Sequence, residues 1–213
     1  PRNNTDQDVD GMINGANDFV NPDSYVHVDD SDSLDLVEQG TLSAWFIMDN
    51  YNIYDGIIHK GDLASFDDES FGLQFWDNQK IRLVLMDENA GGEGYNVESL
   101  TTLSTDTWYH VVGTWNSTGK YIYVNGVLNN STIGSGTPRV STGGVNIGAQ
   151  IEQSLGGNYG ILPFNGTIDE VRISKTSRNP SWIHTSYLNQ LNPDSFITIS
   201  IEDTTPPEIT NVQ

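Results

Sequence analysis

Phe164-Asn165-Gly166-Thr167-Ile168-Asp169-Glu170-Val171-Arg172-Ile173 is the stretch on which the reading of this chain turns. It reads as one buried strand whose apolar residues, Ile168, Val171 and Ile173, are interrupted by an acid, Asp169. A carboxylate on the inward side of a strand is costly unless a cation or several donors face it. Two roles are therefore open to Asp169: holding a metal ion, or accepting backbone N–H groups at a strand end.

Outward from this strand, short alternating runs separated by Gly, Asn and Asp dominate, and helical periodicity is nearly absent. Thr41 to Met48 carries apolar groups on both faces, which places it centrally in a sheet. Phe71, Leu73 and Phe75 alternate with Gly72, Gln74 and Trp76; Asp77-Asn78-Gln79 then turns the chain into Ile81 to Met86. Trp108 to Trp115 is a further strand. Asn125-Gly126, between Tyr121-Ile122-Tyr123-Val124 and Val127-Leu128, supplies the two positive φ angles of a type I′ hairpin turn. About a dozen strands result, the content of a two-layer antiparallel sandwich. One helix is predicted after Asn179, a suitable N-cap, and Pro180, with Trp182, Ile183 and Tyr187 on its apolar side. It is expected to cover an edge or an end of the sandwich. Residues 1–10 read as an N-terminal extension or linker, and 11–201 as one domain. Residues 202–213 read as a Pro-containing linker and the start of a following domain or strand.

The 213 residues suit one β-sandwich, and 36% hydrophobic residues are enough for a core. Without cysteine there is no disulfide and no thiolate chemistry. Nine basic against 29 acidic residues give a formal charge of −20, which disfavours nucleic acid and anionic membrane surfaces. No apolar run approaches the ~20 residues of a membrane-spanning helix. Asn-x-Ser/Thr acceptors begin at Asn3, Asn116, Asn129, Asn130 and Asn165, which points to glycosylation and an extracellular or cell-surface location.

Eight phrases in order resemble the laminin-G-like, concanavalin-A-like jelly rolls of secreted bacterial and archaeal proteins. They are Tyr25-Val26-His27-Val28 with Asp30 to Leu36; Leu42 to Phe46; His59 to Asp62; Phe71-Gly72-Leu73; Trp108 to Val112; Tyr123 to Val127; Val145 to Gly148; and Phe164 to Ile173. The resemblance covers roughly residues 11 to 190. It implies an all-β, two-sheet antiparallel jelly-roll sandwich with one short C-terminal helix. It also implies a non-catalytic module that binds glycans or proteins, often around one structural calcium. In such domains the aspartate matching Asp169 faces an Asn-Asp pair whose positions here are Asp23 and Ser24, with Asp18 and Asp29 nearby as substitutes for the displaced acid.

For sugar binding the expected residues are exposed aromatics beside carboxylates and amides. Trp76 with Asp77 and Asn78 leads, followed by Tyr95 and by Tyr51, Tyr54 and Tyr159; Trp45, Trp108 and Trp115 are expected in the core. The retaining glycosidases on this fold carry Glu-x-Asp-x-Glu-like phrases with carboxyls about 5–5.5 Å apart. Nothing here matches, since Asp169 and Glu170 are neighbours and Asp67-Asp68-Glu69 lies in an apparent loop. His27 and His110 read as packing or hydrogen-bonding residues, and His59 and His184 have no metal-like spacing. Three functions follow in order: a calcium-supported carbohydrate-binding or adhesive module; a structural repeat or polymerising subunit of a surface layer or filament, joined to neighbouring copies by its terminal segments; and a polysaccharide hydrolase or lyase.

Overall fold

The computed structural model describes residues 2–3, 6–20, 24–62, 68–87, 96–134, 137–153 and 159–193. The strands in chain order are β1 (Arg2–Asn3), β2 (Asp6–Asp10), β3 (Gly15–Asp18), β4 (Tyr25–Val28), β5 (Gly40–Met48), β6 (Gly56–Lys60), β7 (Phe71–Trp76) and β8 (Lys80–Leu85). They continue with β9 (Val97–Glu98), β10 (Tyr109–Trp115), β11 (Gly119–Val124), β12 (Val127–Ile133), β13 (Val145–Ile147), β14 (Ala149–Gln153), β15 (Tyr159–Pro163) and β16 (Gly166–Ser174). A helix, α1 (Pro180–Leu191), follows.

Two seven-stranded sheets result. The front sheet runs β1-β4-β13-β6-β7-β8-β9 and the back sheet β12-β11-β10-β5-β16-β3-β2, while β14 and β15 form a separate hairpin. Every strand pairing among the described residues is antiparallel: β5, for example, runs against β10 on one side and β16 on the other. This is the expected jelly-roll sandwich, with β5 central as its two-sided apolar pattern requires. The apolar halves of the alternating strands meet between the sheets. Phe46 of β5 packs edge-on against Phe75 of β7 at 5.5 Å and against Phe164 at 5.8 Å, while Phe71 meets Trp115 at 5.9 Å. The β11–β12 turn has Asn125 at φ 50° and Gly126 at φ 75°, the conformation expected of Asn-Gly.

Two placements differ from the sequence reading. The helix covers neither an edge nor an end: it lies across the outer face of the back sheet, where Ile183 packs on Val112 and Tyr123. Tyr187 stacks on Trp45 at 5.5 Å, and Gln190 Oε1 accepts the Trp45 Nε1–H at 2.9 Å. Its start is as expected, with the Asn179 side chain accepting the Trp182 N–H at 2.8 Å and proline in the first turn. The second difference concerns Asp169. Ile168 pairs with Phe46 and points into the core, so Asp169, paired with Trp45, points to the outer face with it. A β-bulge after Asp169, with Glu170 at φ 50°, then returns Val171 and Ile173 to the inner side.

Residues 2–3 and 6–10, read as an extension, are strands here: β1 pairs with β4 and β2 with β3. The linker expected over residues 202–213 lies outside the described residues.

Candidate binding face

The outer face of the front sheet follows from register. Ile58, Leu73, Leu83 and Val97 point into the core, so their neighbours point away from it. One row across the sheet is His27, Asn146, His59, Gly72 and Val84; a second is Gly56, Gln74, Arg82 and Glu98. An outward face of an antiparallel sheet is ordinarily wet, yet Asn146, His59 and Gln74 are 0%, 1% and 3% exposed. Part of the cover is β14. A Cβ on Gly56 would come within 2.6 Å of the Ala149 and Gln150 backbone, so β14 crosses the face there and brings Gln150 beside the second row.

Some of the buried polar groups are satisfied from within. His27 Nδ1 bonds Asn146 Oδ1 at 2.8 Å, and Asp68 accepts from Ser141 Oγ at 2.9 Å and Gly143 N at 2.8 Å. The fully buried Lys60 ammonium reaches Asp30 at 2.6 Å, Asp35 at 3.7 Å and the Gly143 carbonyl at 2.8 Å. This lysine ties one end of the sheet together.

Others are not. Both ring nitrogens of His59, Gln74 Oε1, Gln150 Oε1, Asn96 Oδ1 and Arg82 Nε are buried without a hydrogen-bond partner. Each such group costs about 1–3 kcal/mol when nothing meets it, and native domains carry few of them. The charges here are also displaced. Burial pushes the Glu69 carboxyl up to about 7, against the pull of Arg82 and Arg139. Burial lowers His59 to about 4 despite nearby Asp68, so its ring is neutral at physiological pH. Its Nε2 stands 3.7 Å from Glu69 Oε1. Burial likewise lowers Arg82, whose guanidinium lies 3.6 Å over the Trp76 ring.

The expected sugar-stacking residue is thus partly engaged. One face of Trp76 carries Arg82, and Tyr54 packs edge-on at 4.9 Å. Asp77 and Asn78 sit in the exposed turn after β7, where Asn78 Nδ2 donates to Asp77 Oδ2 at 2.9 Å. Trp76 and the second row share a face; Tyr95 lies outside the described residues, as does the side chain of Tyr159. His110 is a packing residue, its ring 5.1 Å from Trp45 and 5.9 Å from Tyr187. Trp45 and Trp115 are buried as expected, whereas Trp108 is only half-buried.

The calcium expectation meets a different arrangement. Asp169 Oδ2 accepts the Ile13 N–H at 2.9 Å and Oδ1 accepts the Glu170 N–H at 2.7 Å. A Cβ on Gly11 would sit 2.7 Å from Oδ2. Both oxygens therefore face the main chain, and Asp169 pins the β2–β3 turn onto the bulge. Ser24 is buried at the start of β4, in the other sheet, and Asp23 lies outside the described residues. Among the described residues no three His, Cys, Asp or Glu side chains are grouped to hold a metal. Calcium takes six to eight oxygens, backbone carbonyls among them, whereas both Asp169 oxygens are already engaged by main-chain N–H groups.

Three acceptor asparagines have side-chain bonds within the fold. Asn129 Oδ1 accepts from Leu100 N at 2.6 Å while its Nδ2 donates to Thr101 Oγ1 at 2.7 Å, and Asn130 Nδ2 donates to the Glu98 carbonyl at 2.8 Å. Asn116 Oδ1 caps a turn through Thr118 N at 2.8 Å. The Asn165 carbonyl accepts from Asp49 N at 3.0 Å. Asn3 lies in β1.

Sequence reasoning missed His59, Glu69, Gln74, Arg82, Asn96 and Gln150. The signal for Gln74 was present, as a polar residue at the outward position of a strand with no charged outward neighbours. The burial of Glu69 and Gln150 comes from chain crossings that no local pattern encodes.

A family model described as the concanavalin A-like lectin/glucanases superfamily matches residues 20–184. No curated protein matches by sequence. Among solved structures the chain is similar to domain 4 of an extracellular GH43 arabinanase from Geobacillus stearothermophilus in complex with arabinotriose. That pair has a TM-score of 0.65 and 19% identity, covering 85% of this chain and 80% of that one. It is similar also to the CBM40 of a Ruminococcus gnavus sialidase bound to α2,3 sialyllactose (TM-score 0.59, 15% identity, 76% and 96% covered). A third is the binding domain of Paraclostridial Mosquitocidal Protein 1 (TM-score 0.64, 18% identity, 87% covered), of which the chain spans 46%. With the sandwich, its strand order and this match over most of its length, the chain belongs to the concanavalin A-like lectin/glucanase superfamily.

Proposed function

We propose that this domain is a non-catalytic, extracellular carbohydrate-binding module whose ligand docks on the outer face of the front sheet. The observation that carries the reading is the presence there of His59, Gln74, Arg82 and Gln150, with Asn96 immediately before the inward-pointing Val97 of β9, each having a buried polar atom that the protein does not pair. Such atoms call for a partner from outside the chain, a ligand or ordered water. The sugar-bound arabinanase and sialidase domains of like fold support a saccharide as that partner. A binding rather than hydrolytic role is supported by the fate of the acid pair at the bulge. Glu170 accepts from Gln190 Nε2 at 3.1 Å and pairs with Arg172, on the sheet face that the helix covers.

Gln74→Leu tests the reading, since it removes an unpaired amide while keeping the volume. A glycan array followed by calorimetric titration should show affinity falling at least about tenfold, roughly 1.4 kcal/mol. The folding midpoint should stay level or rise, because an apolar group replaces an unsatisfied one. Binding that is untouched in the variant would place the site elsewhere.

A further inference from the structure

The unpaired atoms also discriminate between kinds of sugar. Amides dominate the set: Gln74, Gln150 and Asn96 each present an unpaired carbonyl oxygen. A carbonyl oxygen can only accept. His59, neutral at physiological pH, carries one donor and one acceptor nitrogen, both unpaired. Arg82 Nε is the remaining donor. A sugar hydroxyl donates and accepts, so adjacent hydroxyls on one ring can answer such a mixture. A carboxylate or sulfate only accepts, and would leave the three amide oxygens as they are.

Charge points the same way. The two guanidiniums near the face do not stand as a bare cationic patch. Glu69 faces both Arg82 and Arg139, Glu98 faces Arg82, and Asp68 lies near His59. Three carboxyl groups against two guanidiniums leave no surplus positive charge, within a chain of formal charge −20.

Resting on the carbohydrate-binding reading, we infer that the front face takes a neutral, hydroxyl-rich saccharide and discriminates against sugars carrying a carboxylate or sulfate. Calorimetric titration at pH 7.5, in low and in 0.5 M salt, checks it with two probe sets. The neutral set is arabinotriose, xylotriose, cellotriose and mannotriose; the acidic set is α2,3-sialyllactose, trigalacturonate and a sulfated galactan trisaccharide. The expected result is a neutral probe bound at least about tenfold more tightly than any acidic one. Its affinity should be indifferent to salt and reduced about tenfold in both Gln74→Leu and Asn96→Leu, with each variant's fold verified by its denaturation midpoint.

Tighter binding of an acidic probe, weakened by salt and lost in the same variants, would overturn this inference and leave the carbohydrate-binding reading standing. No binding in either set and across a wider array, or binding indifferent to both variants, would overturn that reading and this inference together.

Discussion

The two outer faces of this sandwich begin from the same pattern and end differently. On the back sheet, Trp45 and His110 project outward, and α1 lies over them. The helix brings a partner for the buried donor: Gln190 takes the Trp45 indole N–H and passes its own amide to Glu170. On the front sheet, Asn146, His59 and Gln74 project outward and are buried as deeply; Asn146 is bonded to His27, whereas His59 and Gln74 keep unpaired polar atoms. The difference teaches where to look for function in an antiparallel sandwich. The back face keeps one such atom too, His110 Nδ1, but the front face gathers more of them, and the proposed ligand site is placed there for that reason.

The largest effect should come from breaking the closed face. Trp45→Ala removes a fully buried indole, its stack on Tyr187 and its bond to Gln190. Chemical denaturation should show a loss of about 3–5 kcal/mol. Sugar affinity, measured at low temperature where the variant is folded, should not change. If affinity vanished in the folded variant, the two faces would have been assigned the wrong way round.

Next in size is Glu69→Gln on the open face. The Glu69 carboxyl is raised by burial from 4.5 to about 7, so the folded state keeps its proton over a range in which the unfolded chain has released it. Stability from this group is full below pH 4.5 and lost as pH rises to 7. The glutamine removes that dependence. It should be more stable than the wild type by on the order of 2–3 kcal/mol at pH 8 and by none at pH 4. His59 and His110 slope the other way. Both are lowered by burial from 6.5 to about 4, so the stability of their neutral forms is present above 6.5 and lost as pH falls to 4. A pH series in denaturant separates these slopes. Equal differences between Glu69→Gln and wild type at pH 4 and pH 8 would mean that Glu69 is not held protonated.

The smallest expected change sharpens the back face at its far edge. Asp169→Ala leaves the Ile13 and Glu170 N–H groups without their acceptor. Hydrogen bonds to a charged group contribute about 1.5–3 kcal/mol, and thermal unfolding should show a loss of about 2 kcal/mol. The wild-type midpoint should be indifferent to a chelator. A drop on chelation that added calcium reverses would instead put a cation at Asp169.

Fold and site were unequally legible in the chain. The alternation of Phe71, Leu73 and Phe75, the Asn125-Gly126 turn and the Asn179-Pro180 helix start are local signals, and each is found where it was read. Asp169 stands out in the sequence as an acid within an apolar strand, but its direction is not legible there, because facing in or out depends on its pairing with Trp45. The proposed binding face is the least legible part. Trp76 drew attention as an aromatic at a strand end. Its ring instead carries Arg82, two strands meeting by a register that only the folded sheet defines. Glu69 and Gln150 owe their burial to segments far away in sequence, and nothing beside them announces it.

The bond from Ile13 to Asp169 spans 156 residues of sequence. The central strand β5 likewise takes one of its two neighbours, β16, from the far end of the domain. Closing such distant pairs costs loop entropy before any packing rewards it. During synthesis the back sheet therefore waits, its middle strand half-paired and apolar on its open side, until residues 166–174 have emerged. A chain halted before β16 would leave β5 without one of its two neighbours, an unpaired edge of the kind that invites aggregation.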